Sequence, residues 1–429
     1  MKYLNIDNQL FIKNRAALSL NIPNNSMAIF NSNDIMPTNA DGSMPFRQNN
    51  DLFWLSGIDQ EESVLILYPS NKDQNMREIL FLKETNEHIA IWEGAKLTKT
   101  EAEEKSGIKT VFWLNQFDEV LNSLLSDCEE LYLNKNTHAR STSLVETRDD
   151  RFRKRIMNDY PTKKIAEVAP IMHKLRAIKS NTEIELIQNA CNITEKGFRR
   201  ILPIIKPGIM EYEIEAELIH EFLINRSRGF AYEPIIGSGI NSCVLHYIEN
   251  NKKCRDNDIL LMDFGAEYAN YASDLTRTVP VNGVFSKRQK AVYKSVLRVM
   301  QEATNMLRPG TNFKQYNKEV GKIMENELIT LGLLDKHDVK KQNQDKPLYK
   351  KYFMHGTSHY LGLDVHDVGS FDWEMQEGMV FTCEPGIYIP EEKLGVRLEN
   401  DILIARNGPN DLMKNIPIEV EEIENLMNR

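Results

Sequence analysis

A chain of 429 residues is longer than one hydrophobic core ordinarily serves, so two domains are expected. Its composition, 41% hydrophobic and 27% charged, is that of a folded protein and excludes a disordered scaffold. Acidic residues outnumber basic ones, 62 to 53, and the formal charge of -9 opposes attraction to nucleic-acid phosphates.

The first twenty residues scatter Asn, Asp, Lys and Arg among apolar positions and lack the apolar stretch of a signal peptide. No run of about 18 apolar residues follows, so neither a membrane partner nor a membrane span is expected, and the cytoplasm is the expected compartment. Five cysteines, Cys128, Cys191, Cys243, Cys254 and Cys383, are odd in number and show no C-x-x-C spacing, which suits reduced structural thiols.

From about residue 26 to 133, β-rich apolar runs alternate with helical stretches. The runs are Met27-Ala28-Ile29-Phe30, Ser63-Val64-Leu65-Ile66-Leu67-Tyr68, Glu78-Ile79-Leu80-Phe81-Leu82 and Glu130-Leu131-Tyr132-Leu133. That alternation predicts an α/β domain. Residues 134–164 are polar and without apolar periodicity, which places the domain limit at 169/170. Ser180, with Glu183 three residues later, starts a helix whose apolar face runs through Ile184, Ile187, Cys191 and Ile193. A second helix is expected after Pro207-Gly208, over about 211–225. Strands follow at 259–264 and 274–279, helices at 287–307 and 312–331, and strands again at 379–384 and 396–404. This half reads as α+β, with helices on a mostly antiparallel sheet and two hairpins that suggest an internal duplication.

Each of those four strands carries an acid, although burying an unpaired carboxylate costs several kcal/mol or forces its protonation. Asp263 and Asp274 face each other across one predicted hairpin, Glu384 and Glu399 across the other. One such acid is ordinarily a pairing or edge residue. Four in two matching hairpins call for a cation. Three of the nine histidines crowd into one segment as His355, His359 and His366. His88, His138, His173, His220 and His337 read as ordinary core or surface residues. The His355 to His359 spacing lacks the glutamate base of a zinc-protease helix, and its Gly-Thr-Ser is poor helix material. Four carboxylates and an imidazole make a hard, oxygen-rich site for two divalent ions, with manganese first and cobalt or zinc also suited. Two such ions lower the pKa of a shared water and polarise the carbonyl it attacks, which is hydrolysis without a covalent intermediate. Neither a G-x-S-x-G elbow nor a phosphate-binding glycine loop is present.

Asp263, Asp274, His359, Glu384 and Glu399, in that order and with Pro385-Gly386 after the first glutamate, resemble the ligand set of the pita-bread metallopeptidases, family M24B. Leu245-His246-Tyr247, Met262-Asp263-Phe264-Gly265, the segment from His355 to His366 and Gly395-Val396-Arg397-Leu398-Glu399 extend the match. In the first half, Phe46-Arg47-Gln48-Asn49-Asn50-Asp51-Leu52-Phe53-Trp54-Leu55-Ser56-Gly57 is similar to the signature of the domain that precedes the catalytic fold in aminopeptidase P and some prolidases. The resemblance implies a creatinase/aminopeptidase P N-terminal-like α/β domain over 1–169, followed by an α+β pita-bread catalytic domain over 170–429. It implies that Asp263 chelates one metal, His359 and Glu384 the other, and that Asp274 and Glu399 bridge both. His246 and His366 would hydrogen-bond the substrate carbonyl or the tetrahedral intermediate, His355 would line a proline pocket, and Arg397 would orient the acids and the substrate. All four also suit a role of bracing the ligands. Glu384 counts among the catalytic residues as well as the ligands. A homodimer or homotetramer is implied, with Trp92 a candidate for closing a neighbour's site.

Within the family, aminopeptidase P cleaves longer Xaa-Pro peptides and prolidase cleaves Xaa-Pro dipeptides. Ser358, where prolidases commonly carry glycine, and the short connection 369–378 favour aminopeptidase P, hence peptides with proline at the second position as partners. Prolidase is the alternative. A metal-free pita-bread binding module is remote, because such proteins lose ligands and all five are here.

Overall fold

The computed structural model describes residues 2–138, 140–343 and 345–428. They form two compact units, Tyr3–Arg176 and the chain from Ala177 onward. The helix Ala169–Ala177 runs up to that division, which falls later in the chain than the composition shift at 169.

The first unit is built on a six-stranded mixed sheet of β1 (Ser26–Asn31), β2 (Val64–Leu67), β3 (Glu78–Leu82), β4 (Thr110–Trp113), β5 (Glu130–Leu133) and β6 (Lys164–Glu167), in the order β4-β3-β2-β1-β5-β6. Every residue of the central β1 and β2 is buried, as expected of strands covered on both faces. The signature at 46–57 is a structural clamp in this unit. Gln48 donates through Nε2 to the carbonyls of Ile58 and Gln60, at 3.1 and 2.8 Å. The Asn49 side chain caps the helix Asn50–Ser56 by accepting from the amides of Asp51 and Leu52. Asp51 then pairs with Arg176 at 2.8 Å and accepts from Asn134 at 3.0 Å.

Two expectations here are corrected. The polar segment 134–164 contains the helix Arg148–Asp159, opened by a capping box between Thr147 and Asp150; Ile156 is its one buried residue, so it shows almost no apolar periodicity. Strands β4 and β6 were not predicted, because both are short edge strands of half-buried or exposed residues.

In the second unit, the helix Asn181–Ile201 starts at Ser180, whose side chain and Glu183 form a reciprocal capping box. It is followed by the helix Glu211–Ile224 and, later, by Lys287–Met306 and Phe313–Thr330. All strand pairs in this unit are antiparallel. β7 (Ile235–Ser238), β8 (Ile259–Phe264) and β11 (Leu275–Pro280) form one sheet, with the short pair β9 (Glu267–Tyr268) and β10 (Tyr271–Ala272) at its turn. β12 (Val380–Cys383), β15 (Asn400–Ala405) and β16 (Gly408–Asp411) form another, and β13 (Gly386–Ile389) pairs with β14 (Leu394–Arg397). The run predicted as one strand over 396–404 is therefore two, broken at Leu398-Glu399 opposite the break at Glu384-Pro385. A proline has no N–H for the ladder, so the pairing is interrupted where the two glutamates face each other.

The two hairpins are stitched together by backbone and buried side chains. The amide of Glu399 donates to the carbonyl of Thr276 at 3.1 Å. Arg277, fully buried, spends its guanidinium on the carbonyls of Pro417, Thr276 and Glu399 and on Asn400 Oδ1. Underneath, Thr194 of the first helix accepts from the amide of Ala266 at 2.8 Å, and Cys191 donates to Asp401. The β8–β11 hairpin closes so tightly that a Cβ at Gly265 would lie 1.7 Å from the Ser273 carbonyl oxygen, so only glycine fits there. Among the described residues no helix is long and apolar enough to cross a membrane.

Candidate metal centre

Antiparallel register puts Asp263 opposite Thr276, two residues from Asp274, and the paired breaks put Glu384 opposite Glu399. The four acids and the imidazole predicted as ligands thus converge. Asp274, His359 and Glu399 each offer a donor atom, all within 4.8 Å of one another and buried. His359 Nε2 lies 3.4 Å from Asp274 Oδ2 and 3.6 Å from Glu384 Oε1. Asp263 joins through Tyr232, whose hydroxyl is 2.6 Å from Asp263 Oδ1 and also contacts Asp274 Oδ1.

The imidazole of His359 is set by its second nitrogen. Nδ1 lies 3.0 Å from the carbonyl of Tyr360, which only accepts, so Nδ1 carries the proton and Nε2 keeps its lone pair towards the acids. The backbone amide of His359 is held by Thr382 Oγ1, and the amide of Glu384 by the carbonyl of Thr357. Thr276 Oγ1 donates to Glu399 Oε2 at 2.6 Å.

Electrostatics make the same point. Burial, reinforced by Asp263, holds the Asp274 carboxyl well above the ordinary carboxylate range. Burial, then Asp274, Glu384 and Asp263, does the same for Glu399. Glu384 is pushed up to about 7 by burial, against the pull of His359 and Arg397. Acids so close cannot all ionise on their own, and divalent cations are the group that would let them. Oxygen donors with one oriented imidazole nitrogen fit hard divalent ions.

Arg397 is the cation the protein itself supplies. Its Nη2 pairs with Asp263 Oδ2, its Nε reaches Thr276 Oγ1 at 3.1 Å, and its Nη1 donates to the Tyr388 hydroxyl at 2.9 Å. Burial pushes the Tyr388 phenol up to about 12, so it keeps its proton. It sits 2.8 Å from His355 Nε2, while His355 Nδ1 lies 2.7 Å from the carbonyl of Gly356. Nδ1 must then be the donor and Nε2 the acceptor, and the polarity runs from Arg397 through Tyr388 and His355 to Gly356. Burial, then Arg397, holds His355 down at about 3, so the ring is neutral. With both nitrogens engaged, His355 presents a ring surface rather than a hydrogen bond.

His246 is exposed and, among the described residues, makes no hydrogen bond. Its loop is fixed from behind by Glu211, buried in the helix Glu211–Ile224, which accepts from Ser238, Tyr247 and the amide of Lys252. The His366 ring packs edge-on against His359 with centroids 4.3 Å apart. Asp367 beside it is buried against Lys179 at 3.0 Å. Sequence reasoning missed Tyr232, Tyr388, Thr276 and Glu211. Tyr388 stands two residues after Gly386 and Tyr247 directly after His246, but nothing in the order of residues says where a hydroxyl points.

Trp92, the residue singled out for an intersubunit contact, is 79% exposed on the helix Glu87–Glu93, beside Ile91 at 78%.

Residues 185–406 match the model of metallopeptidase family M24, and residues 11–132 match that of the aminopeptidase P N-terminal domain. The chain is 35% identical to the Xaa-Pro aminopeptidase of Escherichia coli strain K12, covering 98% of each. It is 30% identical to Xaa-Pro aminopeptidase 3 of Homo sapiens, over 92% of this chain and 78% of that one. Among solved structures, aminopeptidase PepP of Pseudomonas aeruginosa superposes with a TM-score of 0.91 at 30% identity, over 99% of this chain and 98% of that one. Zn-substituted aminopeptidase P of E. coli, in complex with product, superposes with a TM-score of 0.88 at 33% identity, over 99% of each chain.

Proposed function

The chain belongs to metallopeptidase family M24, and from that premise we propose that it is an Xaa-Pro aminopeptidase, a hydrolase that removes the first residue from peptides with proline second. The observation that carries the chemistry is the buried group of Asp274, His359 and Glu399 with Glu384 and Asp263 against it. Full-length likeness to the Xaa-Pro aminopeptidase of E. coli carries the specificity.

Membership of the family implies divalent metal ions. In our reading two would bind, manganese by preference; Asp263 would hold one, His359 and Glu384 the other, and Asp274 and Glu399 would serve both. When bound they supply Lewis acidity, which makes water nucleophilic at neutral pH and polarises the scissile carbonyl. The protein's own groups do the rest. Glu384, 3.6 Å from His359 Nε2 at the centre of the site, accepts the proton of the attacking water and delivers it to the leaving proline nitrogen. His246, with no internal partner, donates to the carbonyl oxygen as charge gathers there, and His366 serves the same oxygen from the His359 side. His355, neutral and saturated, gives the proline ring an apolar wall. An Xaa-Pro bond lacks the N–H that general peptidases need, and this site asks for none.

Five free thiols, four of them buried, suit a reducing cytoplasm. The exposed Ile91-Trp92 pair supports a homodimer or homotetramer in which that helix is covered. The deciding experiment compares Xaa-Pro with Xaa-Pro-Yyy peptides, with manganese, cobalt and zinc supplied separately. Higher kcat/KM on the tripeptides is expected; cleavage confined to dipeptides would make the protein a prolidase, and no cleavage with any metal would refute the reading.

A further inference from the structure

Lys350 is an exposed cation beside the substrate-binding histidine, and among the described residues no acid pairs with it. Its Nζ lies 5.3 Å from the centre of the Tyr349 ring and 5.7 Å from that of Phe353, and 3.4 Å from the carbonyl oxygen of His355. The Phe353 ring in turn meets the His355 imidazole edge-on at 5.0 Å between centroids. Two aromatic faces and a carbonyl thus hold the ammonium in place, a geometry that keeps the charge and fixes its position. Partial desolvation against the rings, although the side chain is exposed overall, sets its pKa below the ordinary lysine value, and among the described residues no carboxylate offsets that. Its neighbour Lys351 is different: it contacts the Tyr352 hydroxyl at 2.9 Å and Glu391 at 3.8 Å. Surface lysines on this chain commonly find an acid, as Lys290, Lys314 and Lys322 do. Lys350, next to the cleft, has been left with aromatic rings instead.

We propose that Lys350 recognises a carboxylate one or two residues beyond the proline of the substrate, either the peptide's own C-terminus or an acidic side chain. The inference rests on the Xaa-Pro reading, in which His355 faces the proline and the chain continues outward from it. An extended residue spans about 3.4 Å, so the ammonium lies within about three residues' reach of the His355 ring. Among the described residues no carboxylate contributes to the Lys350 environment, so the anion it meets comes from the peptide. An ammonium is a point charge with three rotatable donors and does not demand the planar fork that arginine would impose, so it tolerates carboxylates of differing orientation. The substrates favoured by this device are short peptides ending soon after proline and longer ones acidic at that place.

The test uses the metal-loaded enzyme on Ala-Pro-Ala and Ala-Pro-Ala-Ala, each as free acid and as C-terminal amide, together with Ala-Pro-Glu amide. Exposed ion pairs contribute up to about fivefold in affinity, so KM for the better free acid is expected about three- to fivefold below that of its amide, with kcat little changed. In Lys350→Met this acid-to-amide ratio falls to about one, Lys350→Arg restores it, and Lys351→Met leaves it as in the wild type. The ratio is taken within each enzyme, so a general loss of fold cancels. An advantage for Ala-Pro-Glu amide over Ala-Pro-Ala amide identifies an acidic side chain as a ligand; an advantage confined to free acids identifies the terminus. Equal KM for acids and amides in the wild type, or a ratio that survives in Lys350→Met, overturns the assignment while cleavage of the amides upholds the Xaa-Pro reading. Failure to cleave any of the peptides overturns both.

Discussion

Replacing Tyr388 with phenylalanine removes one oxygen and leaves the ring, which packs with Ile235, Tyr247 and Leu261 in a small buried cluster. The missing hydroxyl leaves Arg397 Nη1 without its acceptor at 2.9 Å and His355 Nε2 without its donor at 2.8 Å. The first bond involves a charged group and contributes about 1.5–3 kcal/mol; the second, between neutral groups, about 1 kcal/mol. The first is buried and the second partly so, and together about 2–4 kcal/mol of stability should disappear, read by urea unfolding followed at the tryptophans. Catalysis should suffer in a particular way. His355 would be held by Gly356 alone and free to turn, so the proline wall loosens and KM for Ala-Pro-Yyy rises about tenfold, whereas kcat, set by the metals and Glu384, changes less. A folded Tyr388→Phe enzyme with wild-type KM and wild-type stability would refute the chain of bonds from Arg397 to His355.

Glu399→Ala should abolish peptidase activity, by at least about a thousandfold, while circular dichroism stays that of a folded protein, because burial and neighbouring acids raise the pKa of this carboxyl, so its removal relieves an electrostatic cost that offsets the acceptor lost to Thr276 Oγ1. Retained activity with full metal content would sink the shared-ligand assignment. Asp149, against Asn31 at 2.9 Å, is pushed up to about 7 by burial. A carboxyl raised in the folded state binds its proton more tightly there than when unfolded, so its stabilising contribution is whole at low pH and is lost as pH climbs from about 4 through 7. Asp149→Asn should therefore flatten the fall in unfolding free energy between pH 5 and pH 8, by about 1–2 kcal/mol given the partial exposure of the side chain; an unchanged pH profile would show that Asp149 is ionised throughout. Sedimentation should give an assembly larger than one 49.6 kDa chain, and Trp92→Ala should shift it towards the monomer. A single species of chain mass over a wide concentration range would remove the intersubunit role of that helix.

The residues proposed as metal ligands were legible in the order of residues because a short-range pattern marked them. An acid in an apolar strand is conspicuous, and a hairpin of known register brings its two acids together without further information, as with Asp263 and Asp274. The capping box at Ser180 and the long helices were legible for the same reason, since cap and face are set within a few residues. The helix Arg148–Asp159 was not, because its stability comes from a capping box and from packing of Ile156 and Phe152 that the polar sequence hides. Neither was the break in the second hairpin, which follows from which strand each half pairs with rather than from hydrophobicity.

What only the tertiary structure decided is where polar side chains from distant segments point. Arg397 and Asp263 are separated by 134 residues, Thr276 and Glu399 by 123, Tyr232 and Asp274 by 42. A buried hydroxyl or guanidinium must satisfy its hydrogen bonds wherever packing leaves it, and that partner carries no signature at its own position in the chain. So the chain's sequence singled out which groups are candidates to hold metal, through local alternation and turn chemistry. The protonation of His355, the orientation of His359 by Tyr360 and the unmatched charge of Lys350 were settled by neighbours that come together when the strands and loops pack.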